Sequence, residues 1–229
     1  MDILERLREL QQQYGWSDYK IAKEAGISPN TVSNIYRRNN VPRIETLELL
    51  CDAFGITMSQ FFADNDLTLK MVLLTHQHVD HIMGTGFLIE EYGCPVYAHA
   101  GDVEMGQNSD VQLRAFNLKC DMKPFKVTNI VNDGDVIELG GERIQVIHTP
   151  GHSLGGVVYY LPESNYALVG DTIFQMSIGR TDLAGGDYDT LINSIRTKLL
   201  VLPEDTELYP GHGGATIVAD EKMYNPFLK

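Results

Sequence analysis

The heptapeptide THQHVDH, residues 75–81, places three histidines and an aspartate within seven positions and decides how the rest of the chain is interpreted. It follows LKMVLL, a continuous apolar run of strand length. His76 and His78 are two residues apart, so in an extended segment their side chains point the same way and can share one ion. Asp80 and His81 follow as the chain turns into a helix, where they can face a second ion beside the first.

Three more candidate ligands lie downstream, each between a predicted strand and a turn that contains glycine. HTPGHS supplies His152, VGDTIF supplies Asp171, and YPGHGG supplies His212. Imidazole and carboxylate ligands suit zinc, iron or manganese, and a site without thiolate ligands is typical of catalytic rather than structural metal centres.

In this order, H-x-H-x-D-H, PGHS, GDT and PGH resemble the motifs of the metallo-β-lactamase superfamily, and the glyoxalase II branch most closely. The resemblance implies an αββα sandwich that holds two metal ions per chain, zinc first, with iron or manganese as alternatives. By this resemblance one metal would be bound by His76, His78 and His152, the other by Asp80, His81 and His212, with Asp171 bridging the two.

The implied reaction is hydrolysis, because a two-metal site generates hydroxide at neutral pH and polarises a carbonyl. Asp80 and Asp171 are the candidate catalytic carboxylates. A thioester suits this site because its thiolate leaves with a conjugate-acid pKa of about 8.5, and S-lactoylglutathione is the substrate by analogy. In SIGRTDLAGGD, Arg180 would meet a substrate carboxylate, or else pair with Asp182 within the chain.

The glutathione-binding helical part of glyoxalase II enzymes is expected to be missing, since the chain ends at Lys229, soon after the last histidine. Glutathione specificity is therefore left open.

Two histidines lie outside the ligand motifs. His148 is interpreted as support for the site or the core, and His99 as a loop residue or a neighbour of the substrate entrance.

The first 64 residues have a different, helical periodicity. A leucine at every third position of the N-terminal segment predicts one helix, and serine N-caps predict two more, beginning after Ser17 and Ser28. The spacing of Ala22, Gly26, Val32 and Ile35 resembles the helix-turn-helix of the Cro and phage-repressor family. The alternative to a DNA-binding module is a small helical bundle whose arginines are only solvated.

By this second resemblance the helix that follows Ser28 would enter the major groove of DNA, and a homodimer would bind two half-sites. Arg37, Arg38 and Arg43 would lie near phosphates. The candidate DNA-binding residues are Ser28, Asn30, Thr31, Asn34, Arg37 and Arg38.

Composition limits the partners of the chain. The net charge of -13, of which only -3 falls within the first 66 residues, argues against nucleic-acid binding by the whole chain but leaves room for a local basic face. No apolar run approaches the roughly 18 residues of a membrane span. Cys51, Cys94 and Cys120 show no C-x-x-C spacing, so a reducing, cytoplasmic location is expected.

The predicted architecture is α+β with two domains, a helix-turn-helix bundle over residues 1–64 and an incomplete αββα sandwich over residues 68–229. Members of the superfamily begin with strands that are absent here, which would expose the edge of the strand over 69–75. Three explanations stay open: a fusion that dimerises to cover the edge, a poorly folding inactive chain, or a chimera.

The sandwich is predicted from helices at 84–92 and 187–200 and from strands at 69–75, 95–98, 135–139, 143–148, 156–161, 166–170 and 206–209.

Two other functions compete with thioester hydrolysis. One is a persulfide dioxygenase with a single iron, a branch of the same superfamily that also carries G-R-T-D. The other is a transcriptional regulator whose metal domain senses a ligand without turnover.

Overall fold

The computed structural model describes residues 3–63 and 69–229, and the chain divides into two compact units, residues 1–70 and 71–229. Residues 64–68, which include the predicted boundary between the two domains, lie outside the described residues. The predicted domain bounds therefore stay predictions.

The first unit contains five described helices, three of which the sequence analysis predicted. They are α1 Ile3–Tyr14, α2 Asp18–Glu24, α3 Pro29–Arg37, α4 Ile44–Phe54 and α5 Met58–Ala63. Both predicted serine caps form: Ser17 Oγ accepts a hydrogen bond from Lys20 N at 3.3 Å, and Ser28 Oγ accepts one from Asn30 N at 3.2 Å. These bonds satisfy amide donors that the first helical turn leaves free.

The turn between α2 and α3 forms where the spacing of Ala22, Gly26, Val32 and Ile35 predicted it. Ala22, Val32 and Ile35 are buried, and they belong to one core cluster with the leucines of α1. Gly26 has a φ of +65°, a left-handed conformation that glycine adopts without steric cost. The tight reversal therefore places α3 with its polar side outward.

The second unit is built mainly on two sheets. Its strands are β1 Val72–Leu73, β2 Val96–His99, β3 Asn129–Val131, β4 Val136–Leu139, β5 Glu142–His148, β6 Val157–Leu161, β7 Tyr166–Gly170, β8 Ile173–Phe174, β9 Ser177–Ile178, β10 Glu207–Pro210 and β11 Thr216–Ile217. The first sheet is parallel, in the order β1-β2-β3. The second has the order β11-β10-β7-β6-β5-β4, and β8 and β9 form a separate hairpin.

Six α-helices of this unit are described. They are α6 Val79–Ile82, α7 Thr85–Tyr92, α8 Val103–Gln107, α9 Ser109–Ala115, α10 Tyr188–Ser194 and α11 Val218–Tyr224. None of the helices in the described parts of the chain is long and apolar enough to cross a membrane.

Strand β6 lies at the centre of the second unit and is buried on both faces. Val157 and Tyr159 pack in a cluster that also includes Val131 of β3, so this face meets the first sheet. Val158 and Tyr160 pack in a different cluster with residues of α10. The layers are thus sheet against sheet, with helix against the outer face of the second sheet.

Most predicted elements of this unit form within about two residues of their expected positions. The Gly140-Gly141 hairpin does too, since both glycines have positive φ and β4 pairs antiparallel with β5. The expected strand over 69–75 is wrong in length: only Val72–Leu73 pairs, because β2 is the one neighbour among the described strands. The helix predicted over 187–200 ends at Ser194 and continues as a π-turn over Ile195–Leu199.

Candidate metal centre

The seven predicted ligands are delivered by the ends of four strands and by one short helix. His76 and His78 follow β1, while Asp80 and His81 lie on α6. The other three lie in turns after β5, β7 and β10, in the order His152, Asp171 and His212. Since β7 and β10 are parallel neighbours, their turns emerge at the same edge of the second sheet.

A first group of donors consists of three buried imidazoles. His78 Nδ1 lies 2.8 Å from His152 Nε2, which in turn lies 3.3 Å from His76 Nε2. The three side chains are 2–6% exposed. Three converging nitrogens are the ligand set of many catalytic zinc sites, which keep one position open.

A second group of donors lies beside the first and is more accessible. His212 Nε2 is 3.2 Å from Asp80 Oδ2, and His81 Nε2 is 3.6 Å from the same oxygen. Asp80 and His212 are 39% and 42% exposed. A substrate can therefore approach the second group, whereas the first is enclosed.

Asp171 lies between the two groups. Its Oδ2 is 3.7 Å from His152 Nε2 and 3.4 Å from His212 Nε2, and its Oδ1 is 3.4 Å from His81 Nε2. In the described part of the chain, Asp171 Oδ1 and His81 Nε2 are among the buried polar atoms that make no hydrogen bond. Buried polar atoms rarely lack a partner, so these residues fit a bound cation.

The electrostatics of the cluster keep three of its donors, His76, His78 and Asp171, in the form that binds cations. Burial, together with the neighbouring imidazoles, lowers the pKa of His76 well below its ordinary value and that of His78 to about 4. Burial alone would raise the pKa of the Asp171 carboxyl, but the neighbouring His81, His212 and His152 outweigh this effect and lower the pKa. Neutral imidazole and ionised carboxylate are the states that ligate metals.

Arg180 contacts neighbouring residues through both its backbone carbonyl and its guanidinium group. His152 Nδ1–H donates a hydrogen bond to the carbonyl oxygen of Arg180 at 2.7 Å, which leaves Nε2 free to act as the donor towards a metal. The guanidinium forms a bidentate pair with Asp182 at 2.7 and 2.8 Å, the intramolecular alternative that the sequence left open. Binding of a substrate carboxylate by Arg180 stays a prediction.

Glycine at position 211 is required by the crowding of the donors. A Cβ atom there would collide with Asp171 Oδ1 and with the ring of His81, which lies 2.5 Å away at Cε1. The backbone of the PGH turn can therefore approach the carboxylate of Asp171 only because this residue has no side chain.

Two residues that the sequence analysis missed hold the ligand loops in place. The buried carboxylate of Asp102 accepts hydrogen bonds from Gln77 N at 3.2 Å, Ser153 Oγ at 2.7 Å and Gly155 N at 2.6 Å. It thereby ties the loop of His76 and His78 to the loop of His152. An isolated aspartate within HAGD carries no motif, so only the structure could reveal this role.

Gln112 of α9 is the second such residue. Its Oε1 accepts from Val79 N at 2.9 Å, and its Nε2 donates to the carbonyl oxygens of Gln77 at 3.1 Å and Met105 at 3.0 Å. A glutamine in an amphipathic segment gives no sequence signal, and α9 itself was not predicted.

His99 and His148 form a stacked pair with ring centroids 4.0 Å apart. His99 Nδ1 accepts from Gly101 N at 3.1 Å, and His148 Nε2–H donates to the carbonyl oxygen of Leu154 at 2.9 Å. Burial, followed by the charge of His148, lowers the pKa of His99. The pair supports loops next to the donors, as the sequence suggested for His148.

The predicted DNA-binding residues of the first unit lie on and next to α3. Asn30, Asn34, Arg37 and Arg38 are exposed, as is Ser28 at the N-cap, whereas Thr31 is half-buried. The opposite side of α3 carries the buried Val32 and Ile35. The residues proposed to contact DNA thus lie away from the core of this unit.

Two family models match the chain. A model of the Metallo-beta-lactamase superfamily matches residues 49–212, and a model of the Cro/C1-type HTH DNA-binding domain matches residues 6–66. Both matched segments agree with the motifs in the sequence. The fold and the site therefore rest on more than the seven ligand residues.

Similar proteins cover most of the chain. The probable metallo-hydrolase YqgX of Bacillus subtilis is 36% identical and covers 76% of this chain and 82% of its own length. The hydroxyacylglutathione hydrolase GloC of Haemophilus influenzae is 38% identical over 71% of this chain and 77% of its own length. The crystal structure of TTHA1623 in a di-iron-bound form is 38% identical, with a TM-score of 0.67 over 74% of this chain and 82% of that chain.

Replacing Asp102 by Asn should weaken metal binding by about 10- to 100-fold, because one accepted hydrogen bond between the two ligand loops is replaced by a clash of donors. Metal affinity is measured by competition with a chelator. The matched control is Asp135→Asn, whose carboxylate accepts from Asn132 N at 2.7 Å, in a loop that carries none of the seven donors. Unchanged affinity in Asp102→Asn would contradict the positioning role.

Acidification should destabilise the metal-binding unit in part through His99. Its folded-state pKa is lowered, so the stability it contributes is complete above the unfolded pKa of about 6.5 and is lost as the pH falls below that value. Urea unfolding at pH 7.5 and pH 5.0 measures the loss. The comparison is His99→Asn, which keeps an acceptor for Gly101 N but does not titrate. Equal pH dependence in both proteins would refute this assignment.

Proposed function

Since the chain belongs to the metallo-beta-lactamase superfamily and carries a Cro/C1-type helix-turn-helix domain, we propose that this metal-dependent hydrolase cleaves a thioester at a binuclear centre. The observation that carries the proposal is the convergence of two donor groups on one carboxylate, Asp171. A single-metal site would not need the second group.

The proposed ligand assignment follows the two donor groups. One metal would be held by His76, His78 and His152 and the other by Asp80, His81 and His212, and Asp171 would serve both. Zinc is proposed because nitrogen and oxygen donors with an open position suit it, and iron or manganese are the alternatives. When bound, such ions polarise a carbonyl and lower the pKa of a water molecule.

The carboxylates of the chain itself have distinct proposed roles. Asp171 stays ionised because of its lowered pKa, so it supplies fixed negative charge between the two cation sites. Asp80 is 39% exposed and lies on the accessible side, where its carboxylate can accept a hydrogen bond close to the substrate. Both are proposed as catalytic residues, in agreement with the sequence analysis.

A thioester is the proposed substrate class for two reasons. A thiolate leaves without prior protonation more readily than an alkoxide, since its conjugate acid has a pKa of about 8.5. The relative GloC is named a hydroxyacylglutathione hydrolase, which supports S-lactoylglutathione as a first test substrate. Arg180 is proposed to leave Asp182 and pair with a substrate carboxylate.

The first test is elemental analysis of the purified full-length chain together with hydrolysis of S-lactoylglutathione and other thioesters. Two metal ions per chain with turnover are expected. Asp171→Asn should lower the rate by at least about a hundredfold, because misplacement of reacting groups by 1 Å costs that much. Asp205→Asn, an exposed carboxylate outside the cluster, is the control and should leave the rate unchanged.

Other outcomes of this test favour the two competing functions. One iron per chain and no thioester hydrolysis would favour the persulfide dioxygenase. Bound metal with no hydrolysis of any thioester, together with specific DNA binding, would favour the metal-sensing regulator. Either result would overturn the thioester proposal.

We also propose that the first unit binds DNA as a homodimer, with α3 in the major groove. Ser28, Asn30, Thr31 and Asn34 would contact bases, because polar side chains at the start of a recognition helix reach base edges. Arg37 and Arg38 would contact phosphates. The N-terminus of α3 is available for this role, since its cap and its first residues are exposed.

The DNA-binding proposal is tested on a sequence selected by the full-length chain from random duplex DNA. Arg37→Ala should weaken binding to all sequences and reduce the salt dependence by about one phosphate contact, whereas Asn34→Ala should cost about 1–3 kcal/mol and relax specificity. Gln13→Ala on α1 is the control. The same salt slope in Arg37→Ala and the native chain would contradict this orientation.

A further inference from the structure

A cavity of about 440 Å³ opens beside the metal centre, next to His78. One wall comes from α8 and α9 and the other from the loops that follow His152 and Arg180. Its volume falls within the range of about 300–1,000 Å³ that is usual for small-molecule sites. A group bound there would lie directly against one of the metal ligands.

The walls of this cavity are mainly apolar. Met105, Val111 and Phe116 form one side, and Leu154 and Leu183 form the other. Val111, Phe116 and Leu154 are 52%, 42% and 61% exposed, although apolar side chains of this size are normally buried. Contiguous exposed apolar surface in a concave site indicates a ligand that removes it from water.

The charge of the cavity excludes an acidic ligand. Among its lining residues the two ionisable carboxylates are Asp102 and Glu104, and Lys and Arg are absent from the lining that the structure describes. Asp102 is directed to the ligand loops, where it accepts hydrogen bonds from Ser153 Oγ and Gly155 N. Glu104 is exposed. A carboxylate at the far end of a ligand in this cavity would find no Lys or Arg side chain in the described lining to pair with.

We propose that this cavity binds the acyl group of the substrate and selects an unbranched apolar acyl chain over a short hydroxyacyl group. The proposal rests on the proposed thioester hydrolysis and names its substrate class. The acyl carbon lies beside His78 and its chain extends between Val111 and Leu154. Water adds its oxygen to the acyl carbon, the C–S bond breaks, and the products are a carboxylic acid and a thiol.

An apolar chain gains more from this cavity than a lactoyl group does. Each methylene removed from water contributes about 0.8 kcal/mol, or about fourfold in binding. The hydroxyl of a lactoyl group lies on the carbon next to the acyl carbon, and the group ends one carbon further on. A hexanoyl chain is three carbons longer and can therefore cover more of Val111, Phe116 and Leu154. Hexanoyl should therefore be favoured over lactoyl on the same thiol.

The test uses four thioesters, lactoyl and hexanoyl each joined to glutathione and to N-acetylcysteamine, with the metal-loaded full-length chain. For both thiols, kcat/KM is expected to be at least tenfold higher for hexanoyl. Equal values, or a preference for lactoyl, would overturn the proposal. Because the thiol is constant within each pair, a requirement for glutathione does not affect the comparison.

Ala115→Phe fills the cavity and should reduce the preference for hexanoyl to threefold or less while lactoyl turnover changes little. Ala115 is an exposed cavity residue at the end of α9, so the change leaves the core intact. Arg114→Phe is the matched control: it adds the same ring one residue away, outside the lining, and removes only an exposed pair with Asp110. Loss of the preference in both variants would contradict the assignment.

A binding measurement separates failure of this proposal from failure of the hydrolase proposal. Hexanoyl-N-acetylcysteamine is added to protein labelled with ¹³C at the methionine methyl groups, and the signal of Met105 is followed. A saturable shift that is absent in Ala115→Phe supports the cavity even if no thioester is hydrolysed. Hydrolysis of thioesters without any shift at Met105 would overturn the cavity proposal and leave the hydrolase proposal intact.

Discussion

The convergence of six donor side chains around the carboxylate of Asp171 is the constraint that the second unit is built to satisfy. The donors come from loops that are far apart in sequence, and the three most buried are imidazoles with little access to water. Burying such groups costs free energy unless they have partners. The loops are therefore fixed by hydrogen bonds that do not involve the donor atoms, as with Asp102, Gln112 and the carbonyl of Arg180.

The same residues join the metal centre to the apolar cavity. Asp102 lines the cavity and also ties Gln77 to Ser153, and Gln112 lines it while holding the ligand loop. The wall that would position a substrate is thus also the support of the donors. A substitution that shifts the cavity wall is expected to shift the metal donors as well, because protein interiors are close-packed and transmit small displacements.

The sequence predicted which side chains would lie together at this site because the signals that mark them are local. Spacing places His76 and His78 on one side of an extended segment, and strand-then-glycine patterns mark His152, Asp171 and His212, all of which the structure brings together. The helix cap at Ser28 and the turn at Gly26 could also be predicted from the sequence, since each depends on residues that are neighbours in the chain.

What the sequence could not predict depends on partners distant along the chain. Asp102 and Ser153 are 51 residues apart, and neither stands in a pattern that predicts their hydrogen bond. Helices α8 and α9 are only five and seven residues long, too short for a clear periodicity. The apolar cavity depends on these helices, so it also escaped the sequence analysis. The predicted length of the strand over 69–75 was wrong for a related reason. The extent of pairing at β1 is set by the strands next to it and not by its own residues.

The short edge strand bears on whether the site needs the strands with which related domains begin. In the described part of the second unit, β1 pairs with β2 alone, but the second sheet holds it across the core. Tyr159 Oη–H donates to the carbonyl oxygen of Leu74 at 3.0 Å, and Val157 N donates to that of Thr75 at 2.8 Å. These bonds fix the chain directly before His76. The ligand loop is therefore anchored by β6, a fully buried strand, and its position does not depend on an outer neighbour of β1.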